Sequence, residues 1–267
     1  MSNKKPAKIR NKILKAINNP RIFFGLFKRK FSDKFIHRLN PIKVTHREAE
    51  NFFSTVAQEN NHLVRMVQPY LESASVVFDV GANSGFFSKE ILKAGFSGKI
   101  ILFEPIPNLL SIAVNTLSKH NVEKIFVNSA LGEIAGELEL FLPNDSNIGW
   151  ITAVKETVNQ KSIRVLISST KEYAIKFKPD FVKIDIEGFE AFVLRPFVEL
   201  VDATFRPTFL VELGWGISNP HWGIFMDVAR AFDKKGYTFY SVNSEKTKLS
   251  IENLAEMTHT QDVLICP

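Results

Sequence analysis

Short apolar runs alternate with segments of helical periodicity along most of the chain after residue 70. The first run, SVVFDV at 75–80, ends in acidic and glycine residues and precedes FFSKEILKAG at 86–95, which Gly95 closes. A continuous apolar run is typical of a strand buried on both faces, and apolar residues three and four apart are typical of an amphipathic helix. The pattern predicts strands at 75–80, 99–104, 124–131, 181–187 and 208–213, and helices at 86–95, 108–121, 188–200 and 222–235.

The alternation changes in two places. GELELFLP at 136–143 and SIRVLISS at 162–169 have strand periodicity and predict an antiparallel pair, with a polar loop or lid at 144–160 between them. Near the end of the chain, 237–242 and 262–267 predict a final antiparallel pair. The fold predicted from these elements is α/β: an open, doubly wound sheet, mostly parallel with an antiparallel last strand. Such sheets bind ligands at the carboxyl ends of their strands.

Charge divides the chain into two parts. Residues 1–48 contain fourteen Lys or Arg against two acidic residues, a net charge of +12, whereas the other 219 residues have a net charge of −6. We therefore predict a basic, helical N-terminal arm at 1–48 and one domain at 49–267, beginning with a helix over about 46–70. The arm mixes lysines with apolar residues. It could contact a membrane surface or an anionic partner, or it could pack on the domain and leave its lysines in solvent.

Cysteine content and hydropathy bear on location. The chain has a single cysteine, Cys266, and so cannot form an intrachain disulfide. It contains no apolar run of about 18 residues or more and no apolar segment of the secretory type. We expect a cytoplasmic protein, associated with a membrane if the arm binds one.

The first strand ends in a glycine turn, Asp79-Val-Gly81-Ala-Asn83-Ser-Gly85. Glycine permits a sharp turn and a close approach of the backbone. A dinucleotide fold would have G-x-G-x-x-G, so a nicotinamide dehydrogenase is not predicted. An acidic residue two positions before the first glycine suits a ligand with an ammonium group, such as the methionine part of S-adenosylmethionine. The alternative is a strand-to-helix turn that binds nothing.

The second and third strands end in further candidate contacts. Glu104, at the end of the second strand, could accept hydrogen bonds from two ribose hydroxyls, and Pro105 offers an apolar edge to a purine. After the third strand, Ser129 and Ala130 could contact the adenine edge through a side-chain oxygen or a backbone N–H. Any polar loop would look similar at this last position.

With VFDVGANSGFFS, LFEP and VKIDIEGFEAFVL taken together, the chain resembles the FkbM family of methyltransferases over roughly residues 70–240. The resemblance implies a class I methyltransferase fold (Rossmann-like), S-adenosylmethionine as cofactor, and methylation of a hydroxyl group on a sugar, a glycan or a natural product. It implies cofactor contacts at the glycine turn and at Glu104. It also implies a fourth-strand signature at Asp185, Glu187, Gly188 and Glu190.

The candidate reacting groups follow the fourth and fifth strands. Asp185 and Glu187 are two residues apart, so in extended chain their carboxylates would lie on one side and either could take the proton from an alcohol. His221, after the fifth strand, is a third candidate for this general base. Alternatively, Glu187 caps the next helix, Lys183 pairs with a neighbouring acid, and His221 is a surface residue.

A metal ion is a further alternative, because Asp185, Glu187 and Glu212 could together bind Mg²⁺. Their spacing is not that of a specific metal motif, and we predict no metal. Trp150, Trp215 and Trp222 lie in loops that would cover the site, where they could stack on a sugar, or they belong to the core.

Two rival functions are consistent with the arm. A nucleic-acid methyltransferase would use its charge, but amino-methylating enzymes typically have Asn- or Asp-Pro-Pro-aromatic where this chain has Asp-Ile-Glu-Gly, and the added acids would repel phosphates. Nucleic acid is therefore not predicted as a partner. A non-catalytic module that binds S-adenosylmethionine and docks through its arm is the second rival, against which the intact cofactor motifs count.

Overall fold

The computed structural model describes residues 62–143, 151–155, 157, 160–242 and 246–267. The predicted arm at 1–48, its boundary with the domain, most of the predicted 46–70 helix, and Trp150 lie outside the described residues. The described end of that helix, 62–71, is helical. No helix within the described ranges is long and apolar enough to cross a membrane.

The main sheet of the described chain has eight strands in the order β10-β9-β11-β8-β7-β1-β2-β3. Strands β3, β2, β1, β7 and β8 run parallel, and β11 lies antiparallel between β8 and β9. The strands are β1 (Val76–Val80), β2 (Lys99–Phe103), β3 (Lys124–Val127), β7 (Phe181–Ile184), β8 (Thr208–Leu213), β9 (Thr238–Val242), β10 (Lys246–Leu249) and β11 (Gln261–Cys266). The predicted mostly parallel, doubly wound sheet and its antiparallel last strand are confirmed.

Helices cover both faces of this sheet, which explains why its central strands are apolar without interruption. Segment 62–71 and α1 pack on one face, and α4 and α5 pack on the other. The helices are α1 (Phe86–Lys93), α2 (Pro107–Leu117), α3 (Thr170–Phe177), α4 (Glu190–Leu200), α5 (Trp222–Lys234) and α6 (Ile251–Ala255). The chain leaves β1 towards β3 and returns to β7, so the switch in strand order lies between β1 and β7.

A smaller sheet, in the order β4-β6-β5, is inserted between β3 and β7. It consists of β4 (Ala130–Gly132), β5 (Gly136–Phe141) and β6 (Ser162–Ser169), and the predicted antiparallel pairing of β5 with β6 is confirmed. The strand predicted at 124–131 is in fact two strands, which belong to different sheets. They separate at Asn128, whose amide donates to the carbonyl oxygens of Glu104 and Pro105 at 2.9 and 3.0 Å.

Two predicted boundaries shift at the end of β7. The strand predicted at 181–187 ends at Ile184, and the following helix begins at Glu190. Glu187 (φ 52°) and Gly188 (φ 96°) lie in the left-handed region, which no strand can continue. The chain therefore turns sharply at Glu187 instead of extending through it.

Candidate functional site

A cavity of about 680 Å³ lies along the carboxyl ends of β1, β2, β7 and β8, across the switch in strand order. The cavity runs across the strands, and we name its two ends after Glu104 and Asp262. The Glu104 end is lined by Glu104, Pro105, Ile106, Leu109, Ala130, Leu131, Leu138, Leu140, Ile151 and Ala153. The Asp262 end is lined by His62, Leu63, Glu212, Val242 and Asp262, and Lys183, Asp185 and Glu187 lie between the two ends.

The glycine turn after β1 brings the backbone against β7. Gly81 has φ 74°, and its N–H donates to the carbonyl oxygen of Phe103 at 3.0 Å. A Cβ atom on Gly81 would lie 1.9 Å from the carbonyl oxygen of Asp185. Glycine is therefore required by the approach of two backbones, and Gly81 itself lines the cavity.

The other glycine of the turn has a different role. Gly85 (φ 80°) precedes α1, and a Cβ there would lie 3.1 Å from the Cβ of Ala113 in α2. It does not line the cavity, whereas Asn83 (φ 49°) does. Gly85 thus lets α1 and α2 pack closely, and among the turn's predicted contacts Gly81 and Asn83 face the cavity.

Asp79 is fully buried behind the turn and does not line the cavity. One carboxylate oxygen accepts a 2.6 Å hydrogen bond from the Ser88 hydroxyl, and the other lies 3.7 Å from the ammonium of Lys183. Burial raises the pKa of Asp79 above its usual value, against the opposing effects of Lys183 and Ser88. Asp79, the acid predicted to bind an ammonium group of the ligand, therefore lies next to the ammonium of Lys183 and not at the cavity.

Glu104 is the acidic residue of the Glu104 end and is 4% exposed. Its two carboxylate oxygens accept hydrogen bonds from the backbone N–H groups of Asn83 at 2.9 Å and Ile106 at 2.7 Å. Burial raises the pKa of Glu104 to about 7, although both hydrogen bonds favour the ionised form. Each oxygen keeps a lone pair, so the carboxylate can accept further hydrogen bonds from a ligand.

The two residues after β3 that were predicted to contact adenine have different surroundings. Ser129 is buried, its hydroxyl lies 2.7 Å from the Ser168 hydroxyl, and it does not line the cavity. Ala130 does line it, together with Leu131. The Ser129 hydroxyl, which was predicted to contact the adenine edge, therefore contacts β6 instead.

Three carboxylates meet at the middle of the cavity. Oxygen atoms of Asp185, Glu187 and Glu212 all lie within 4.8 Å of one another, which confirms that the first two converge. Among the described residues they are the group that could hold a metal ion. Convergence does not come from an extended chain, as the two-residue spacing predicted, but from the left-handed turn at Glu187.

Lys183 supplies positive charge to this group. Its ammonium lies 2.9 Å from an Asp185 carboxylate oxygen and donates to the Gly81 carbonyl oxygen at 3.2 Å. Burial disfavours a charged Asp185, but the Lys183 ammonium and a hydrogen bond from Glu212 together outweigh burial and hold the pKa of Asp185 below its usual value. The Asp185 charge, followed by burial, raises the pKa of Glu212 to about 11. Glu212 is accordingly protonated near neutral pH and hydrogen-bonds to an ionised Asp185.

His221 and the described tryptophans lie away from the cavity lining. The imidazole of His221 packs edge-on against Phe192, with ring centroids 4.9 Å apart, and partial burial lowers its pKa. Trp222 is buried in the core against Phe225, and Trp215 packs near Gly188. The structure does not bring His221 to the carboxylates as a base, because aromatic packing holds its ring at the start of α5.

Glu190 supports the turn at Glu187 from behind. It is 3% exposed, and one of its carboxylate oxygens accepts a 2.7 Å hydrogen bond from the Gly188 N–H. Burial raises the pKa of Glu190 to about 7. Glu190 therefore stabilises the turn and does not line the cavity.

Several lining residues gave no signal in the sequence. Lys183 was expected only to pair with an acid, which it does. Phe86 and Phe87 belong to the motif VFDVGANSGFFS, but no contact was predicted for them. The fold brings the others to the cavity from distant parts of the chain. They are His62 and Leu63, Leu131, Leu138 and Leu140 of the smaller sheet, Ile151 and Ala153, Val242, and Asp262.

The order of groups along the cavity fits S-adenosylmethionine. Glu104 offers a carboxylate for two ribose hydroxyls, and Ile106 and Leu109 beside it offer an apolar surface for adenine. The carboxylates of Asp185 and Glu187, about two strands away, can face the positively charged methionine part. Gly81 lines the cavity between the two regions.

Sheet order, the antiparallel last strand, and a cavity at the switch point define a class I S-adenosylmethionine-dependent methyltransferase. The sequence pattern of the Methyltransferase FkbM domain matches residues 79–239, which is more than half of the chain. The protein belongs to this family, and S-adenosylmethionine is its cofactor.

The solved structures that match this chain share little sequence with it. An O-methyltransferase from Bacillus cereus in complex with SAH has 10% identity and a TM-score of 0.45, covering 88% of this chain and 96% of its own. The O-methyltransferase TomG from Streptomyces achromogenes has 12% identity and a TM-score of 0.43, covering 79% of each chain. A precorrin-6y C5,15-methyltransferase from Geobacter metallireducens has 12% identity and a TM-score of 0.40, covering 76% and 88%. Comparison with curated protein sequences gives no match.

Proposed function

We propose that the protein is an O-methyltransferase that methylates a hydroxyl group of a small molecule or glycan. The convergence of Asp185 and Glu187 in the middle of the cavity, beside the expected methionine part of the cofactor, carries this proposal. A hydroxyl must lose a proton during methyl transfer, and a carboxylate within reach of it is a suitable general base.

Glu187 is the better of the two candidate bases. The ammonium of Lys183 lies 2.9 Å from a carboxylate oxygen of Asp185 and lowers the basicity of Asp185. In the proposed mechanism Asp185 orients the acceptor hydroxyl and Glu187 takes its proton as the oxygen–methyl bond forms. S-adenosylmethionine would supply the methyl group, with its sulfur–methyl bond broken and S-adenosylhomocysteine as the leaving group. Glu104 and the apolar residues beside it fix the cofactor's position. This matters because alignment of the methyl group with the attacking oxygen contributes much of the rate.

The acceptor enters from the Asp262 end of the cavity, since the cofactor occupies the Glu104 end. Leu63 and Val242 give this end an apolar wall, and Glu212 and Asp262 give it polar oxygens. Glu187 and Asp262 add negative charge with no lysine other than Lys183 in the described lining. This charge favours a neutral or cationic acceptor and disfavours phosphate groups, including those of nucleic acids.

We propose that transfer needs no divalent metal. The three carboxylates could bind Mg²⁺, but the Lys183 ammonium already provides positive charge 2.9 Å from Asp185. Excess EDTA should leave the activity unchanged. Loss of activity in EDTA, restored by added Mg²⁺, would overturn the metal-free mechanism.

The decisive experiment follows the methyl group. The protein is incubated with methyl-labelled S-adenosylmethionine and fractionated glycans, lipids and small molecules of the host, and the labelled product is located by mass spectrometry. Label on an oxygen, absent with the Glu104→Ala variant, supports the proposal. Label on nitrogen or carbon contradicts O-methylation, and tight cofactor binding without labelling of any fraction favours the non-catalytic module.

A further inference from the structure

Residues 151–154, which we call the strap, lie between the Glu104 end of the cavity and the turn at Glu187. Thr152 pairs with Phe141 at the edge of β5: each N–H donates to the other carbonyl oxygen, at 2.7 and 3.2 Å. On either side of it, Ile151 and Ala153 line the cavity and pack on the apolar cluster that contains Ile106 and Leu109. The strap is therefore part of the wall at the Glu104 end.

The side chain of Thr152 is directed towards the other region. Its hydroxyl donates to the carbonyl oxygen of Glu187 at 2.6 Å and accepts a hydrogen bond from the Val154 N–H at 2.9 Å. Thr152 is 2% exposed. Successive residues of an extended segment face opposite sides, so the apolar side chains and the hydroxyl of the strap contact different parts of the site.

The turn at Glu187 and Gly188 depends on side chains for its hydrogen bonds. Glu190 accepts from the Gly188 N–H, and the Asn219 amide donates to the Gly188 carbonyl oxygen at 3.3 Å. Of the three side chains that hold the turn in these bonds, Thr152 is the one whose two neighbours in the chain, Ile151 and Ala153, themselves line the Glu104 end. The Thr152 hydroxyl is thus a direct link between that end and the backbone of Glu187.

We infer that Thr152 is a positioning residue. When a ligand occupies the Glu104 end, Thr152 fixes the orientation of Glu187. A ligand that packs against Ile151 and Ala153 fixes the strap, and the fixed strap holds the Glu187 carbonyl group. The inference rests on the proposed function for the roles of the Glu104 end and of Glu187. It implies that the adenosine part of the cofactor prepares the proton acceptor before the acceptor arrives.

Adenosine is the probe for this link, because it lacks the methionine part that would face Asp185 and Glu187. Hydrogen exchange is measured by mass spectrometry on the full chain, with and without adenosine, for peptides covering 104–110 and 185–190. The variants are Thr152→Val, which removes the hydroxyl, and Thr152→Ser, which keeps it. Thr170→Val is the matched control, because the buried Thr170 hydroxyl has no hydrogen-bond partner among the described residues.

In the wild type, adenosine should slow exchange in both peptides. Without ligand, Thr152→Val should speed exchange in 185–190 by about threefold to tenfold, the effect expected from one hydrogen bond, and Thr170→Val should not. In Thr152→Val, adenosine should still protect 104–110 but should no longer protect 185–190, and Thr152→Ser should restore that protection. With an acceptor in hand, Thr152→Val should lower kcat much more than it weakens cofactor binding.

Two results would overturn the link while leaving the proposed function intact: undiminished protection of 185–190 by adenosine in Thr152→Val, or equal loss in the valine and serine variants. Failure of adenosine to protect 104–110 in the wild type would overturn the assignment of the Glu104 end, and the inference with it.

Discussion

The ammonium of Lys183 lies 2.9 Å from a carboxylate oxygen of Asp185. The same ammonium donates to the carbonyl oxygen of Gly81, so one side chain joins the turn after β1 to the reacting end of β7. The Lys183 side chain is only 11% exposed, whereas the Asp185 side chain is 40% exposed, so loss of Asp185 would leave a nearly buried ammonium without its closest charge. Asp185 is therefore an ionised group with a fixed partner, and the proposed mechanism assigns proton transfer to Glu187.

Substitution of the two carboxylates should separate their roles. Glu187→Gln should lower kcat by about a hundredfold or more with little change in cofactor affinity, the usual cost of losing a general base. Asp185→Asn should also reduce turnover, and it should lower thermal stability because Lys183 loses its closest charge. Steady-state kinetics and calorimetry with S-adenosylhomocysteine measure both effects. Full activity in the two variants would exclude these carboxylates from the transfer step.

Cofactor affinity should depend on pH through Glu104. Its pKa is about 7, and ribose hydroxyls bind best to the ionised carboxylate. S-adenosylhomocysteine affinity should be constant above pH 8 and fall about tenfold for each pH unit well below 7. Glu104→Gln should abolish this dependence and weaken binding at pH 8 by about 1.5–3 kcal/mol. Glu190→Gln is the control, because Glu190 also has a pKa of about 7 but does not line the cavity, so it should keep the dependence.

Gly81→Ala should damage the site from the backbone. The added Cβ would lie 1.9 Å from the Asp185 carbonyl oxygen, at a φ of 74° that disfavours any side chain. We expect a loss of roughly 2–4 kcal/mol in unfolding free energy, measured by urea denaturation, and loss of cofactor binding. Gly223→Ala should be close to neutral, because no atom lies within 4 Å of the Cβ it adds. Equal effects of the two substitutions would argue against a close approach at Gly81.

The arm at 1–48 gives a prediction that concerns membranes. Its net charge of +12 should bind anionic lipid, at roughly 1 kcal/mol for each lysine or arginine near the surface. The full-length protein should sediment with anionic liposomes at low salt and be released at high salt. Removal of residues 1–45 should abolish sedimentation with little change in melting temperature. Unfolding on truncation would show instead that the arm is structural.

The parts of the fold that could be predicted from the sequence are those whose residues form continuous apolar runs. Strands β1, β2, β7 and β8 are such runs because helices cover both faces of the sheet. Helix α3 was not predicted, since it buries only Thr170 and Ala174 and has no continuous apolar stripe. One local signal was present: Ser169 accepts a hydrogen bond from the Glu172 N–H at the start of α3, a cap that Ser followed three residues later by Glu predicts.

The site was predictable where it depends on the ends of strands, and not where it depends on packing. Glu104 and Asp185 follow buried strands, so the parallel sheet fixes both at one edge. Ser129 and His221 also follow strands, but Ser168 and Phe192 engage them elsewhere. The positions of Ser129 and His221 depend on contacts between residues far apart in the chain, and no local sequence pattern predicts such contacts.

The boundaries of the family match have a consequence for how such enzymes diverge. Residues 79–239 include the whole Glu104 end, whereas Leu63, Val242 and Asp262 of the Asp262 end lie outside them. In the proposed arrangement, most of the acceptor end is thus encoded outside the stretch that holds the donor, with Glu212 as the exception. A lineage can exchange the flanking stretches and acquire a new acceptor without touching the residues that hold the donor. Grafting them between family members is a direct route to redesigned specificity.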